Sequence, residues 1–200
     1  MTERLHEPLP AATLHVVVDM QALFDSHPDW GSDCVRQVLP NVLALVRHRP
    51  ERALYTRFVP PGEAREAPGR WRRTYERWPG ATLAAAGAQA VELVAELADL
   101  ARRGRVVDKS TYSAFASPAF MAALAAERPE CLLFSGVETD QCVLASLLAA
   151  VDLGHRVVLA EDAVASAHAA AHEATLAHLL PRLDAQVECA STAAILASWP

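Results

Sequence analysis

The chain contains 200 residues, 52% of them hydrophobic, and carries a formal net charge of −6. This length suffices for one domain with a substantial core, so we expect a single domain over residues 1–200, with residues 1–13 as an N-terminal tail. The acidic balance argues against a nucleic-acid-binding protein. The N-terminus lacks the apolar core of a signal peptide, and no apolar run approaches the roughly 18 residues of a membrane span. We therefore expect a cytoplasmic protein that does not contact membranes.

The predicted elements alternate between strands and helices along the chain. Short apolar runs predict six strands, over residues 14–19, 52–58, 105–109, 131–135, 155–160 and 186–189. Amphipathic periodicity and capping residues predict helices over residues 33–49, 90–101, 117–127, 140–153, 168–183 and 192–198. This alternation is typical of a three-layer α/β/α fold, in which a six-stranded, mostly parallel sheet is covered by helices on both faces.

The long connection over residues 59–81 is rich in proline, arginine and aromatic residues. Residues 47–77 hold nine arginines against four glutamates, and Trp71, Tyr75 and Trp78 lie among them. Loops of this length are usually functional or disordered, and the large aromatics favour a wall or lid over a pocket. A solvated loop or a site for an anionic small molecule fits the acidic chain better than a nucleic-acid groove, which the same pattern also allows.

Three predicted strands lead to chemically reactive side chains. Asp19 ends the first strand, Lys109 ends the third, and Cys142 lies in the first turn of the helix after the fourth. Ligands of open α/β sheets bind at the carboxyl ends of the strands. Lys109 is the only lysine among 18 basic residues, which suggests that a guanidinium cannot replace it. Because a helix N-terminus stabilises a thiolate, we expect the Cys142 pKa to lie below about 8.5, within roughly 3.5–7.5.

The remaining cysteines, Cys34, Cys131 and Cys189, form no CxxC pair and no metal-finger spacing, so we expect core thiols and no disulfide framework. His168 and His172 lie at i and i+4 of a predicted helix, but the pattern is not HExxH and no partner cluster accompanies it. Phosphate-binding glycine loops and a GxSxG serine motif are absent from the sequence. We therefore expect neither a metal nor another cofactor.

Three segments together resemble a known family. VVVDMQALF (residues 16–24), VVDKSTYSAF (residues 106–115) and LLFSGVETDQCVLASLLAAVDLGHRVVLAEDAVAS (residues 132–166) are similar, in order and spacing, to the signature segments of the isochorismatase-like cysteine hydrolases. This group includes nicotinamidases and N-carbamoylsarcosine amidohydrolase. The resemblance covers about residues 14–166 and implies an isochorismatase-like sheet with a Rossmann-like strand order.

The resemblance also implies a catalytic triad of Asp19, Lys109 and Cys142. Asp19 would take the thiol proton, the sulfur would attack a carbonyl carbon, and Lys109 would hold the carboxylate and tune both groups. A cis peptide bond is implied between Val137 and Glu138. It would direct the backbone N–H groups of Glu138 and Cys142 at the developing oxyanion.

Departures from the family narrow the expected substrate. Nicotinamidases carry a metal site that begins with Asp-x-His after the second strand, whereas Thr56-Arg57-Phe58-Val59-Pro60 stands here and contains neither ligand, so zinc and nicotinamide are both disfavoured. True isochorismatases cleave a vinyl ether and do not need a thiol, so Cys142 favours cleavage of a C–N bond. We expect a small-molecule substrate bound by the following five residues: Phe24, Arg57, Trp71, Tyr75 and Tyr112. Arg57 would pair with a substrate carboxylate.

Two alternatives remain open at this point. One is an isochorismatase-type vinyl-ether hydrolase, and the other is a non-catalytic family member that acts as a ligand sensor or as a subunit of an assembly. Members of the family often self-associate, so the resemblance also implies a homo-oligomer, either a dimer or a tetramer.

Overall fold

Six parallel strands form the sheet at the centre of the protein. The computed structural model describes residues 5–200. The strands are β1 (Thr13–Val18), β2 (Ala53–Phe58), β3 (Arg105–Lys109), β4 (Cys131–Val137), β5 (Arg156–Ala165) and β6 (Val187–Ala190). They pair in the order β3-β2-β1-β4-β5-β6, and every pair is parallel. The predicted α/β class and six-stranded sheet are confirmed, and the sheet is parallel throughout.

Helices cover both faces of this sheet. They are α1 (Ala22–Asp25), α2 (Cys34–His48), α3 (Trp71–Arg77), α4 (Leu83–Ala86), α5 (Ala95–Ala101), α6 (Pro118–Glu127), α7 (Leu144–Asp152), α8 (Ala169–Ala174) and α9 (Thr192–Ser198). One apolar core packs α2, α5 and α9 against one face, and a second packs α6 and α7 against the other. β1 and β4 are buried along their whole length, which explains their unbroken apolar sequences. None of the helices in residues 5–200 is long and apolar enough to cross a membrane.

Three helices differ from their predicted extents. The helix predicted over residues 90–101 begins only at Ala95, and the helix predicted over residues 140–153 starts with a π-helical turn, Thr139–Val143. The segment predicted as one helix over residues 168–183 is divided into α8, a π-helical turn and a 3-10 turn. Pro181 lies in that last turn, and its missing N–H cannot continue an α-helical hydrogen-bond ladder.

The connection over residues 59–81 is ordered and contains α3. This helix directs Tyr75 into the protein, where it is 1% exposed, and leaves Arg72, Arg73 and Arg77 on the outer surface. Short 3-10 turns flank the helix at Ala64–Glu66 and Pro79–Ala81. The prediction of a loop was therefore wrong for α3, because its amphipathic pattern is only seven residues long.

Strands β1 and β4 approach each other closely at their carboxyl ends. Gly136 has φ +110°, and a Cβ atom at this position would lie 2.1 Å from the carbonyl oxygen of Val18. Any larger residue at position 136 would therefore push the two strands apart. Asp19, the first residue after β1, has φ +50°, a left-handed conformation that is uncommon outside glycine and that clusters at functional sites.

Candidate active site

The side chains of Asp19, Lys109 and Cys142 meet at the carboxyl edge of the sheet. Asp19 follows β1, Lys109 ends β3, and Cys142 lies in the π-helical turn after β4. All three residues are buried, with 0%, 4% and 5% of their surface exposed. Since β2 separates β1 from β3, the lysine side chain spans this gap above the ring of Phe58, with Nζ 4.9 Å from the ring centroid.

The Lys109 ammonium makes two hydrogen bonds and one ion pair. Nζ lies 2.6 Å from Oδ2 of Asp19, 3.2 Å from Sγ of Cys142 and 3.0 Å from the carbonyl oxygen of Thr111. Although burial lowers the Lys109 pKa, its contacts with the Asp19 carboxylate and with the Cys142 sulfur outweigh that effect and raise it above its usual value. The ammonium therefore stays charged and links the carboxylate to the sulfur.

Strand β2 holds the Asp19 carboxylate in place. The Thr56 hydroxyl donates to Oδ1 of Asp19 at 2.5 Å, and the backbone N–H of Asp19 donates to the hydroxyl and to the carbonyl oxygen of Thr56, each at 3.2 Å. Oδ1 is thus fixed by Thr56, while Oδ2 faces Lys109. This arrangement restricts the carboxylate to one orientation beside the sulfur.

The prediction of a lowered Cys142 pKa is wrong. Burial is the largest influence and raises the pKa of the thiol, the Asp19 carboxylate raises it further, and Lys109 only partly opposes both. The helix N-terminus does not offset the loss of water around the sulfur. Cys142 is therefore a neutral thiol next to a carboxylate that can accept its proton.

The turn that carries Cys142 is fixed by hydrogen bonds on both sides. The peptide bond between Val137 and Glu138 is cis. The Ser146 hydroxyl donates to the carbonyl oxygen of Cys142 at 2.7 Å and accepts from the backbone N–H of Ala114 at 2.9 Å. These contacts connect the turn to the segment that follows Lys109.

Helix α8 and the end of β5 hold the other side of the same turn. The Ser166 hydroxyl donates to Oδ1 of Asp140 at 2.6 Å, and the Thr139 hydroxyl lies 2.8 Å from Nδ1 of His172. His168 caps α8 by accepting from the backbone N–H of Ala171. Both histidines therefore have structural contacts.

A cavity of about 460 Å³ opens onto Cys142. This volume is typical of sites for small molecules. Its walls are mainly aromatic, with two carboxylates among the polar groups. The lining side chains relevant to the chemistry are Phe24, Asp29, Trp30, Phe58, Trp71, Trp78, Tyr112, Glu138, Gln141, Cys142 and His168.

Three of the five residues predicted to bind substrate line this cavity, namely Phe24, Trp71 and Tyr112. Tyr75 does not reach it and lies behind the wall, with its ring 5.9 Å from that of Trp30. Burial raises the Tyr75 pKa, so its phenol stays neutral. Tyr75 therefore supports the wall from behind.

Arg57 is also absent from the cavity, contrary to the prediction. Its guanidinium donates through Nε to Asp108 at 2.8 Å and through Nη1 to Glu92 at 3.0 Å. It lines a separate, more open groove together with Arg36 and Glu92. Because these two carboxylates already neutralise Arg57, it offers no free charge to a substrate carboxylate.

Several residues at the site were not identified from the sequence. Trp30 and Asp29 lie in the loop after α1, a stretch of the sequence that carries no motif. Thr56 lies on β2 and hydrogen-bonds to Asp19, a contact that no motif in the sequence indicates. Gln21 fixes the neighbouring strand by accepting from the N–H of Phe58 at 2.6 Å and donating to its carbonyl oxygen at 3.0 Å.

Metal-ligating side chains do not converge anywhere in the described chain. Over residues 5–200, no group of three or more His, Cys, Asp or Glu side chains is arranged to hold a metal ion. At the end of β2, the Thr56 hydroxyl donates a hydrogen bond to Asp19, and Arg57 forms ion pairs with two carboxylates. The residues present there do not fit a metal site.

Comparison with solved structures finds the same fold in several hydrolases. A cysteine hydrolase from Pseudomonas syringae pv. phaseolicola 1448A superposes with a TM-score of 0.80 at 21% identity, covering 99% of this chain and 98% of that one. The nicotinamidase/pyrazinamidase PncA from Bacillus subtilis superposes with a TM-score of 0.71 at 23% identity, covering 88% and 98%. N-carbamoylsarcosine amidase from Thermoplasma acidophilum superposes with a TM-score of 0.70 at 17% identity, covering 90% of this chain and 96% of that one. At these identities the likeness establishes the fold.

The family follows from the sequence itself. No curated protein sequence matches the chain. The isochorismatase domain, however, matches residues 13–193, which include all six strands and the three buried residues at the carboxyl edge of the sheet. The chain therefore belongs to the isochorismatase family and is related in fold to its cysteine hydrolases, nicotinamidases and N-carbamoylsarcosine amidases.

Proposed function

We propose that the protein is a cysteine hydrolase that cleaves the C–N bond of a small amide, ureide or N-carbamoyl compound through a thioester on Cys142. The observation that carries this proposal is the position of the Lys109 ammonium, 2.6 Å from the Asp19 carboxylate and 3.2 Å from the Cys142 sulfur. One buried cation thus holds a base beside a nucleophile, which is the arrangement that nucleophilic catalysis needs.

The first half of the reaction forms the thioester. Because the resting thiol is neutral, Asp19 accepts its proton as Sγ of Cys142 attacks the carbonyl carbon. The C–S bond forms while the carbonyl π electrons move to oxygen. Collapse of the tetrahedral intermediate breaks the C–N bond, and the proton on Asp19 passes to the leaving nitrogen, which departs as ammonia or an amine.

The second half releases the acid. Water adds to the thioester carbonyl and gives a proton to Asp19, and the C–S bond then breaks. The thiolate that leaves recovers the proton from Asp19, so the site returns to its starting state. Lys109 keeps its charge in both halves, and its contact with sulfur stabilises the thiolate each time it appears.

Stabilisation of the oxyanion is assigned to the turn around the nucleophile. We propose that the backbone N–H groups of Glu138 and Cys142 donate to it, since both residues line the cavity. Ser146 and Asp140 hold this turn through buried or half-buried hydrogen bonds. Loss of a single oxyanion donor costs about 10²–10³ in rate in a known case, so the rigidity of the turn matters.

Location and assembly complete the proposal. The reaction described here needs no partner protein and no cofactor, and its substrate is a small molecule. We place the protein in the cytoplasm, and we expect a homo-oligomer, a dimer or a tetramer. Size-exclusion chromatography with light scattering tests the assembly.

Two measurements on one panel of small amides, ureides and N-carbamoyl compounds test the function. The first is release of ammonia or amine, and the second is the mass of the intact protein after rapid acid quenching. We expect turnover together with an acyl group on the Cys142 peptide. Cys142→Ala should lose both, with a fall in kcat of about 10⁶, the scale seen when the nucleophile of a serine protease is removed.

Cys189→Ala is the matched control, because Cys189 is also a reduced thiol but lies on β6, away from the cavity. It should retain full turnover. A panel on which the wild type and Cys142→Ala both stay inactive, with no acyl group on the protein, would favour a non-catalytic role. Turnover that survives in Cys142→Ala would favour chemistry that does not use the thiol, such as vinyl-ether hydrolysis.

A further inference from the structure

The cavity over Cys142 has an aromatic wall and an acidic rim. We call it the aromatic cavity and define it by six ring-bearing residues and two carboxylates. The rings belong to Phe24, Trp30, Phe58, Trp71, Trp78 and Tyr112, and the carboxylates belong to Asp29 and Glu138. This composition bears on the charge of the substrate.

Five of the six rings, all except Trp78, form one continuous surface. Trp71 lies 4.8 Å from Tyr112 and 6.1 Å from Phe58, and Phe58 lies 6.1 Å from Trp30, measured between ring centroids. Trp30 in turn stacks on Phe24 with an interplanar angle of 2°. The faces of such rings carry negative electrostatic potential and attract cations. The Lys109 ammonium lies 4.9 Å from the Phe58 centroid, within the range of such a contact.

Neither carboxylate is paired with a lysine or an arginine of residues 5–200, and the basic side chain beside Glu138 is His168. The one side-chain hydrogen-bond partner of Glu138 in that part of the chain is Gln141, at 3.1 Å. Burial, together with repulsion from Asp140, raises the Glu138 pKa. A positive charge in the cavity would stabilise the ionised form of Glu138.

Among residues 5–200, no lysine or arginine lines the cavity to receive an anionic substrate, and His168, which does line it, uses Nδ1 to cap α8. Lys109 is satisfied by its three partners, and Arg57 is held in a different groove by Asp108 and Glu92. The arginines of α3 lie on its solvent side, where salt screens them, and Arg77 stacks on Trp78 with its guanidinium carbon 5.3 Å from the ring centroid. A substrate carboxylate would therefore meet aromatic faces and two carboxylates.

We propose that the substrate is a small amide or ureide that carries a positive charge, such as a substituted ammonium group, and that this charge is seated between the Trp71 wall and Glu138. The inference rests on the proposed hydrolase function and narrows it, since amides and N-carbamoyl compounds with a free carboxylate become poor substrates. Quaternary and substituted ammonium groups suit such a site because water binds them less strongly than it binds a primary ammonium. Aromatic faces can therefore replace the water around them.

Three probes of nearly equal size test the charge preference. (Trimethylammonio)acetamide is cationic, 3,3-dimethylbutanamide replaces its nitrogen by carbon and is neutral, and malonamate is anionic. Titration of each probe into Cys142→Ala by calorimetry measures binding without turnover. We expect the cationic amide to bind at least tenfold more tightly than its neutral isostere, and malonamate to bind most weakly. Equal binding of the first two probes, absence of detectable binding by the cation, or tightest binding by malonamate would overturn the inference.

Substitutions in the same background locate the preference. Trp71→Leu and Glu138→Gln should each reduce the ratio of cation to neutral affinity at least threefold. Glu76→Gln is the matched control, because this exposed carboxylate lies on the same helix as Trp71 but does not line the cavity. It should leave the ratio unchanged. A ratio that drops equally in all three variants would contradict a role for the cavity.

The two proposals fail in different ways. Because the binding ratio is measured without the sulfur, a cation preference in a protein that never acylates Cys142 would overturn the hydrolase function and leave the charge preference standing. Conversely, an acyl group on Cys142 from an anionic or neutral amide, with no preference for the cation, would support the hydrolase function and overturn the inference. Ratios are taken within one variant, so a partly unfolded preparation does not alter them.

Discussion

The two walls of the cavity are built in different ways. On the catalytic side, Asp19 follows β1, Lys109 ends the edge strand β3 and Cys142 follows β4, and each is at most 5% exposed. On the opposite side, Phe58 ends β2, but the other five rings come from the segments that connect one strand to the next, and Trp78 and Tyr112 are 36% and 44% exposed. The sheet thus fixes the chemistry, while the connections determine what is admitted. Connections tolerate substitution better than buried strands, so selectivity can change without disturbing the reaction.

Among the substitutions that test this difference between the two walls, a change at Lys109 should have the largest effect on stability and activity. Lys109→Met removes the buried cation and leaves the Asp19 carboxylate without a counter-ion, which typically costs about 3–5 kcal/mol of stability when one partner of a buried pair is lost. We also expect kcat to fall by about 10³ or more, since the base and the nucleophile lose the charge that links them. Urea denaturation and steady-state kinetics on the folded variant measure the two effects.

Lys109→Arg is the informative companion substitution. It keeps the charge, but the planar guanidinium cannot make the same three contacts in the space that the ammonium occupies. We expect it to recover most of the stability and little of the activity. An arginine variant with near wild-type kcat would show that the charge alone suffices and that its geometry does not matter.

A second, intermediate effect concerns the protonation of Cys142. Because burial and Asp19 raise its pKa, alkylation by iodoacetamide at pH 7 should be slower than for a free cysteine. The rate should rise about tenfold per pH unit through pH 9 without levelling, because only the thiolate reacts. Peptide mass spectrometry separates Cys142 from the other thiols. A plateau between pH 6 and 7.5 would contradict the raised pKa.

Asp19→Asn sharpens this test. It removes the negative charge that raises the Cys142 pKa and leaves Lys109 to stabilise the thiolate. Alkylation at pH 7 should therefore accelerate while turnover is lost with the base.

The raised pKa of Cys142 also determines how the stability of the wild-type protein depends on pH. Above the unfolded thiol pKa of about 8.5, the unfolded chain ionises before the folded one, so this group lowers the free energy of unfolding as pH rises.

The same division explains what the sequence could predict. Apolar runs that end in Asp19 and Lys109 placed both residues at one sheet edge, because parallel strands bring their carboxyl ends together. The sequence did not show how deeply Cys142 is buried, and burial decides its pKa. A helix start is visible in one segment, whereas the loss of water depends on side chains from the whole fold.

Side-chain direction limited the prediction of the opposite wall. On β2, Thr56 faces Asp19, and Arg57, one residue later, points to the other side, since successive strand residues alternate. Its register partner on β3 is Asp108, with which it forms an ion pair. Neither the register nor this partner can be read from the segment around Arg57. Tyr75 was misplaced for a similar reason, because the short helix that turns it inward was not predicted.

The smallest effect is expected from a substitution at Arg57, which tests whether a residue outside the cavity contributes to substrate binding. Arg57→Gln removes two partly exposed ion pairs, each of which is worth about 0–1 kcal/mol. Since Arg57 lies outside the cavity, KM and kcat for any accepted substrate should stay within about twofold of wild type. Arg36→Gln is the matched control, because Arg36 also bridges two carboxylates, Asp25 and Glu96, along the same open groove. A rise in KM that is confined to Arg57→Gln and to carboxylate-bearing substrates would show that Arg57 leaves its ion pairs to bind substrate, and the separation of the two walls would then be wrong.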